Sequence, residues 1–337
     1  MTGNKIEKVR LGTDGPEVGV QGLGCMGMSE FYGDTDESAA RDTLDAALEA
    51  GVTLFDTADV YGRGANEEFL RPFVTAHRDE ITLATKFSIV RSDDPHFRGI
   101  RNDPAYVREA VESSLRRLGV DVIDLYYMHR RDPSVPLAES VGAMAELVAA
   151  GKVRHLGLSE VTGAELREAH AVHPIAALQS EWSLFSRDVE KSAVGAAAEL
   201  GVAMVPYSPL GRGFLTGAFA DAGKELSAGD FRGYMPRFTG ANAQANAALL
   251  EPVKKVAAAH GATPAQVALA WVQQQARVHD LTVVPIPGTR RRNRLEENVG
   301  ATRIALSAEE LALLEPIAGR VLGDRYPDMS STSAARE

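Results

Sequence analysis

Four times along this chain an amphipathic segment ends on a glycine and a strand-length run begins at once: Gly51 before VTLFD, Gly119 before VDVIDLYYM, Gly151 before KVRHLGLS and Gly201 before VAMVPY. Glycine enters left-handed backbone without a Cβ clash, so it ends a helix and turns the chain toward the next element. Most of the runs are continuously apolar rather than alternating, the pattern of strands covered on both faces. A repeated helix–glycine–strand unit points to one regular βα architecture and argues against two unrelated domains.

Eight runs read as strands: Gly19–Cys25, Val52–Asp56, Ile81–Lys86, Val122–His129, His155–Ser159, Ala176–Gln179, Ala203–Tyr207 and Thr282–Ile286. Between them the spacing predicts helices over Glu37–Ala50, Glu67–Ala76, Pro104–Leu118, Leu137–Ala150, Gly163–Ala171, Asp188–Leu200, Ala241–His260, Pro264–Gln275 and Arg291–Asn298. Thr35-Asp36 and Asp103-Pro104 read as N-caps. The expected fold is α/β, a single (β/α)8 TIM barrel over residues 1–337, a length that suits a barrel with insertions. A doubly wound sheet is the alternative, weakened because no G-x-G-x-x-G follows an early strand. Residues 5–18, around the turn Thr13-Asp14-Gly15, predict an N-terminal hairpin. The tail 326–337 is expected to fray. The stretches 88–103 and 211–240 are loops long enough to shape a pocket.

A net charge of −10 argues against nucleic acid as a partner. A single cysteine, Cys25, rules out a disulfide framework and reads as a small buried hydrophobe. No apolar signal opens MTGNKIEKVR and no run reaches membrane-spanning length, so the expected setting is cytoplasmic, with no membrane partner. The histidines His96, His155, His170 and His173 show no metal-ligand spacing, and no metal is expected. Oligomeric state is left open.

Chemistry concentrates at strand ends. Asp56 closes VTLFD with Tyr61 shortly after, Lys86 follows ITLAT, and His129 follows DLYYM. Barrel enzymes place their chemistry at strand C-termini. A tyrosine titrates near 10, and a neighbouring lysine ammonium favours its phenolate. An aspartate behind the lysine keeps that cation oriented, and a histidine can polarise a carbonyl. Singly, each residue reads as readily as a helix cap, a solvated charge or a packed aromatic.

The segments around these residues resemble the aldo-keto reductase family. The likeness is carried by DTADVYGRGANEEFL, LATKF and DLYYMHRRDP, and it continues through HLGLSE, LQSEWSLFSR, VPYSPLGRGFLTG and PIPGTRRRNRLEEN. It implies a (β/α)8 barrel, NADP(H) bound extended without a Rossmann motif, and Tyr61 as general acid with Asp56, Lys86 and His129 beside it. Members with Glu at the position of His129 tend to act on steroid double bonds, so His129 favours reduction of a small-molecule carbonyl substrate. DFRGYMPRF is similar to a branch of pyridoxal-reductase-like and other small-aldehyde reductases.

The resemblance also implies the cofactor residues. Ser159, Gln179 and Tyr207 would hold and stack the nicotinamide, with Met26 bordering the site. Ser208, Leu210, Gly211 and Gly213 would follow the pyrophosphate. Gly288, Thr289, Arg290, Arg294, Glu297 and Asn298 would surround the adenosine phosphate, where four arginines crowd into five residues at a helix start. Two positions depart from the pattern. Gly288 stands where many members have Lys, with Arg290 placed to replace that contact. Glu160 stands where many have Asn, and its carboxylate can accept from a carboxamide but cannot donate. Trp182 reads as packing, and Arg130 and Arg131 as ion-pair or surface residues. Two other functions are compatible with these motifs: a cofactor-sensing regulatory subunit of the same fold, and a Schiff-base aldolase built on Lys86.

Overall fold

The glycines that punctuate the sequence take left-handed backbone in the structure, a computed structural model that describes residues 5–32, 35–91, 98–219, 226 and 230–337. Gly51, Gly119, Gly151 and Gly201 have φ of 92°, 69°, 71° and 66°. Gly119 and Gly201 cap their helices directly, their N–H groups returning to Leu115 O and Ala197 O. At the opposite ends, Asp36 accepts from the N–H groups of Ser38 and Ala39, and Asp103 from that of Tyr106 ahead of Pro104.

In chain order the strands are β1 (Lys8–Arg10), β2 (Glu17–Gly19), β3 (Leu23–Gly24), β4 (Leu54–Asp56), β5 (Thr82–Phe87), β6 (Ile89–Arg91), β7 (Arg98–Ile100), β8 (Ile123–Met128), β9 (Val153–Ser159), β10 (Ile175–Gln179) and β11 (Ala203–Met204). Seven of them form one curled sheet in the order β11-β10-β9-β8-β5-β4-β3, every pairing parallel. The expected eighth strand, Thr282–Ile286, is an extended segment without a regular ladder. Val284 N–H donates to Met204 O on one side, Gly22 N–H to Pro285 O on the other, and Gly288 bridges Gly24. Pro285 and Pro287 have no N–H to contribute, which keeps the ladder incomplete. The segment nevertheless spans both sheet edges, and the architecture is the α/β barrel rather than an open doubly wound sheet.

Inward side chains fill the barrel, among them Leu54, Ala84, Leu125, Ala177, Ala203, Val205 and Val284, and the hairpin adds Leu11 and Val18 to the same cluster. Tyr127 fits inside only because its neighbour is Gly157, where a Cβ would lie 2.4 Å from the Tyr127 ring. Two boundaries differ from expectation. The predicted helix 241–260 is two helices, Gly240–Ala248 and Glu251–His260, because Pro252 cannot continue the first. A further helix, Ala308–Leu314, opens on a Ser307/Glu310 capping box.

The tail packs against the barrel. Arg325, Thr332 and Ser333 are buried, and Arg336 donates to Glu160 O and to the Glu165 carboxylate. Its composition is polar, but its arginines find buried acceptors. Parts of the two long loops, including His96, lie outside the described residues. No helix among the described residues is long and apolar enough to cross a membrane.

Candidate active site

The turn that carries Tyr61 is built from unusual backbone. Gly62, Arg63 and Gly64 follow with φ of 56°, 54° and 94°, which explains the glycines flanking Arg63 in YGRG. Asn66 fixes this turn from behind: its Oδ1 accepts from Thr57 Oγ1 at 2.6 Å, and its Nδ2 donates to Cys25 O and Ser29 Oγ. Nothing short of the fold singles out Asn66, because its partners lie on two segments distant from it in sequence or across the turn.

The structure brings the four strand-end residues together. Lys86 is completely enclosed, and its ammonium donates to Asp56 Oδ1 (2.5 Å), Thr57 O (2.8 Å) and the Tyr61 hydroxyl (3.3 Å). Asp56 Oδ2 in turn accepts from Gln179 Nε2 at 2.8 Å. The Tyr61 and His129 rings meet edge to face with centroids 5.9 Å apart. Tyr61, Asp56 and His129 line a cavity of about 1230 Å³ at the C-terminal mouth of the barrel.

Charge in this cluster is set by burial. Burial opposes the Lys86 cation, but Asp56 and Tyr61 outweigh it and raise its pKa, so the lysine stays charged. Burial likewise pushes the Tyr61 phenol up, and the pull of Lys86 only partly offsets it. The proton therefore rests on the phenol, the form a proton donor needs, rather than on a pre-ionised phenolate. Burial, then Arg130 and Lys86, hold the His129 imidazole well below its usual 6.5. His129 is neutral across the physiological range. The expected result is a kcat profile with no His129 limb between pH 6 and 8. An apparent pKa near 6.5 that disappears in His129→Asn would contradict this assignment.

The remaining predicted residues divide. Met26, Gln179, Tyr207, Ser208, Leu210, Gly213, Gly288, Thr289, Arg290, Arg294, Glu297 and Asn298 line the cavity. Ser159 and Gly211 do not. Arg130, rather than Ser159, faces the cavity, with its Nη1 donating to Ser159 Oγ and His129 O. Reading Arg130 as a surface or ion-pair residue is thus corrected: it is buried and has no ion pair among the described residues. Gly211 and Gly213 turn their N–H groups inward to Ser208 O and Leu210 O, so they shape the loop rather than present donors.

The arginine cluster also separates by direction. Arg290 donates to the carbonyls of Gly27 and Tyr32 and to Thr35 Oγ1, tying the last loop to the first. Arg292 points outward to Asp42, Glu49 and Glu296. Arg291 and Arg294 line the cavity and have no ion pair among the described residues; burial and Arg291 lower the pKa of Arg294. Gly288 packs closely at the barrel closure, where a Cβ would lie 3.1 Å from Gly24 O. Trp182 is fully buried and donates to Glu190, a packing role as expected.

Comparison with known proteins follows this geometry. The model of the Aldo/keto reductase family matches residues 22–318. A probable aldo-keto reductase 1 from Glycine max is 44% identical over 330 residues, covering 97% of this chain and 93% of that protein. Among solved structures, the glycerol dehydrogenase AKR11B4 from Gluconobacter oxydans has a TM-score of 0.81 at 28% identity, over 94% of this chain and 96% of that one. The holo form of the aldo-keto reductase AKR11C1 from Bacillus halodurans has a TM-score of 0.75 at 27% identity, over 96% and 100%. The chain belongs to the aldo/keto reductase family.

Proposed function

We propose that the protein is an NADP(H)-dependent reductase of aldehydes and ketones, with Tyr61 as the general acid. The observation that carries this reading is the Tyr61 hydroxyl, held by the enclosed Lys86 ammonium and open to a cavity that also presents neutral His129. Family membership supports oxidoreductase chemistry on carbonyl groups with a nicotinamide cofactor. The residues present fit such a cofactor. The cavity extends from Tyr61 past Tyr207 to Arg291 and Arg294, two cations with no ion pair among the described residues, at the start of the helix Arg292–Gly300.

Bound there, NADPH supplies hydride to the carbonyl carbon. Tyr61 donates its proton to the carbonyl oxygen, Lys86 stabilises the phenolate left behind, and Asp56 keeps Lys86 charged and aimed. Neutral His129 helps orient the carbonyl. Phe31, Phe219, Phe231 and Tyr234 give the cavity apolar walls, in keeping with the small-aldehyde branch that DFRGYMPRF resembles.

The test is a panel of aldehydes and ketones followed by NADPH absorbance, with NADH in parallel. Turnover of aldehydes with NADPH is expected. A protein that binds NADPH but reduces no carbonyl across the panel would overturn the reading. Arg294 assigns the 2′-phosphate preference. Arg294→Ala should raise KM for NADPH by about 10–100-fold, the scale of a lost charged hydrogen bond, and leave KM for NADH nearly unchanged. Equal increases for both cofactors would remove Arg294 from the phosphate site.

A further inference from the structure

Glu160 directly follows β9 in left-handed backbone, φ 52°, with its side chain completely enclosed. A non-glycine residue keeps such a conformation only where its surroundings impose it. Its carboxylate does not face the cavity. Oε1 accepts from Arg325 Nη1 (2.8 Å), the Tyr207 hydroxyl (2.8 Å) and Glu181 N–H (3.2 Å). Oε2 accepts from Arg325 Nη2 (3.1 Å) and from Ser333 N–H (3.1 Å) and Oγ (3.3 Å). A carboxylate offers about four lone-pair directions, so no capacity is left for a carboxamide. Burial opposes the charge, but Arg325 outweighs it and holds the carboxyl well below the usual range.

The donors to the carboxylate come from the barrel, as the Tyr207 hydroxyl and Glu181 N–H, and from the C-terminal segment, whose Arg336 also donates to Glu160 O. Tyr207 is a wall of the cavity at its nicotinamide end, and its hydroxyl also meets that of Tyr326 at 3.3 Å. Arg325, Ser333 and Arg336 belong to the C-terminal segment, which lies beyond the span that the family model matches. Between them, Tyr326, Pro327, Asp328, Ser330 and Ser331 line the same cavity. Arg212 reinforces the junction by donating to the Tyr326 hydroxyl at 2.6 Å.

We propose that Glu160 is a positioning residue, not a cofactor ligand: its carboxylate latches the C-terminal segment to the barrel and thereby fixes Tyr207 and Tyr326 as the wall against which the nicotinamide end of the cofactor rests. The latch itself is independent of the functional reading; the effect on cofactor rests on it.

The test uses Glu160→Gln, Arg325→Met, the double variant, and a chain ending at Asp324, in case the buried unpaired charge of either single variant prevents folding. NADPH affinity is read by fluorescence titration, kcat and KM on an aldehyde, and exposure of the tail by limited proteolysis at Tyr326. Each variant should weaken NADPH about tenfold or more, the scale of losing a buried charged hydrogen bond. The double variant should be no worse than the singles, because both break one latch. The loss should fall on KM, with kcat within about threefold, since Tyr61 and Lys86 are untouched. In the three full-length variants the tail should become cleavable at Tyr326. Weakened NADPH in Glu160→Gln with wild-type affinity in Arg325→Met and in the shortened chain would overturn the proposal and make Glu160 a direct ligand. A released tail with unchanged affinity would overturn it as well. If the wild-type protein binds no nicotinamide, the functional reading fails, and proteolysis alone judges the latch: release supports it and protection overturns it.

Discussion

Tyr61→Phe is expected to lower kcat for carbonyl reduction by about 10²–10⁴-fold while leaving the dissociation constant of NADPH close to that of the wild type. The substitution removes one hydroxyl whose protein contact is the Lys86 ammonium at 3.3 Å. The ring keeps its packing beside Ala58 and Val60 and its edge-to-face contact with His129. Structure and cofactor affinity therefore survive, and only the proton donor is lost. Pre-steady-state absorbance separates the two effects: cofactor still binds, and the oxidation phase disappears. Full activity in this variant would remove Tyr61 from the chemistry.

The second large effect falls on Lys86. Lys86→Met leaves Asp56 buried without its cation, and breaking one side of such a pair costs about 3–5 kcal/mol. The variant is expected to melt well below the wild type and to be inactive. Asp56→Asn added to Lys86→Met removes the stranded charge, so the double variant should recover much of the lost stability. It should not recover activity, because nothing then stabilises the phenolate. Thermal melts with kinetics on the three proteins check this. A double variant that regains turnover would show the pair to be structural. One that stays as unstable as Lys86→Met would show that the loss comes from packing instead of charge.

The barrel and its strand ends were legible because they rest on local signals. Left-handed glycines after helices, Asp36 and Asp103 at N-caps, and apolar runs of strand length each act within a few residues of the chain. The helix Ala308–Leu314 is equally local in origin, opening on the capping box of Ser307 and Glu310. Some of the cavity-lining residues, among them Gln179, Tyr207, Arg294 and Asn298, lie in the segments that carry the family resemblance.

What sequence could not supply is where buried charges find partners. The Glu160–Arg325 pair joins residues 165 positions apart, and Arg130 becomes a cavity residue only because β8 and β9 lie side by side. The Arg290–Arg294 cluster reads as uniform basic sequence, yet helix geometry sends Arg292 outward to Asp42 and leaves Arg294 facing the cavity. The same holds for the tail. Its small polar residues look like a fraying end, and its three-dimensional acceptors are invisible along the chain.

The central claim is that this cavity passes hydride from a nicotinamide to a carbonyl carbon while Tyr61 delivers the proton. It is tested most directly with NADPH carrying deuterium at the transferable C4 position, an aromatic aldehyde, and mass analysis of the alcohol. One deuterium bound to the carbinol carbon in the wild-type product, and no labelled alcohol from Tyr61→Phe on the same timescale, is the predicted result. Alcohol formed without deuterium at that carbon, or labelled equally fast by Tyr61→Phe, would contradict it.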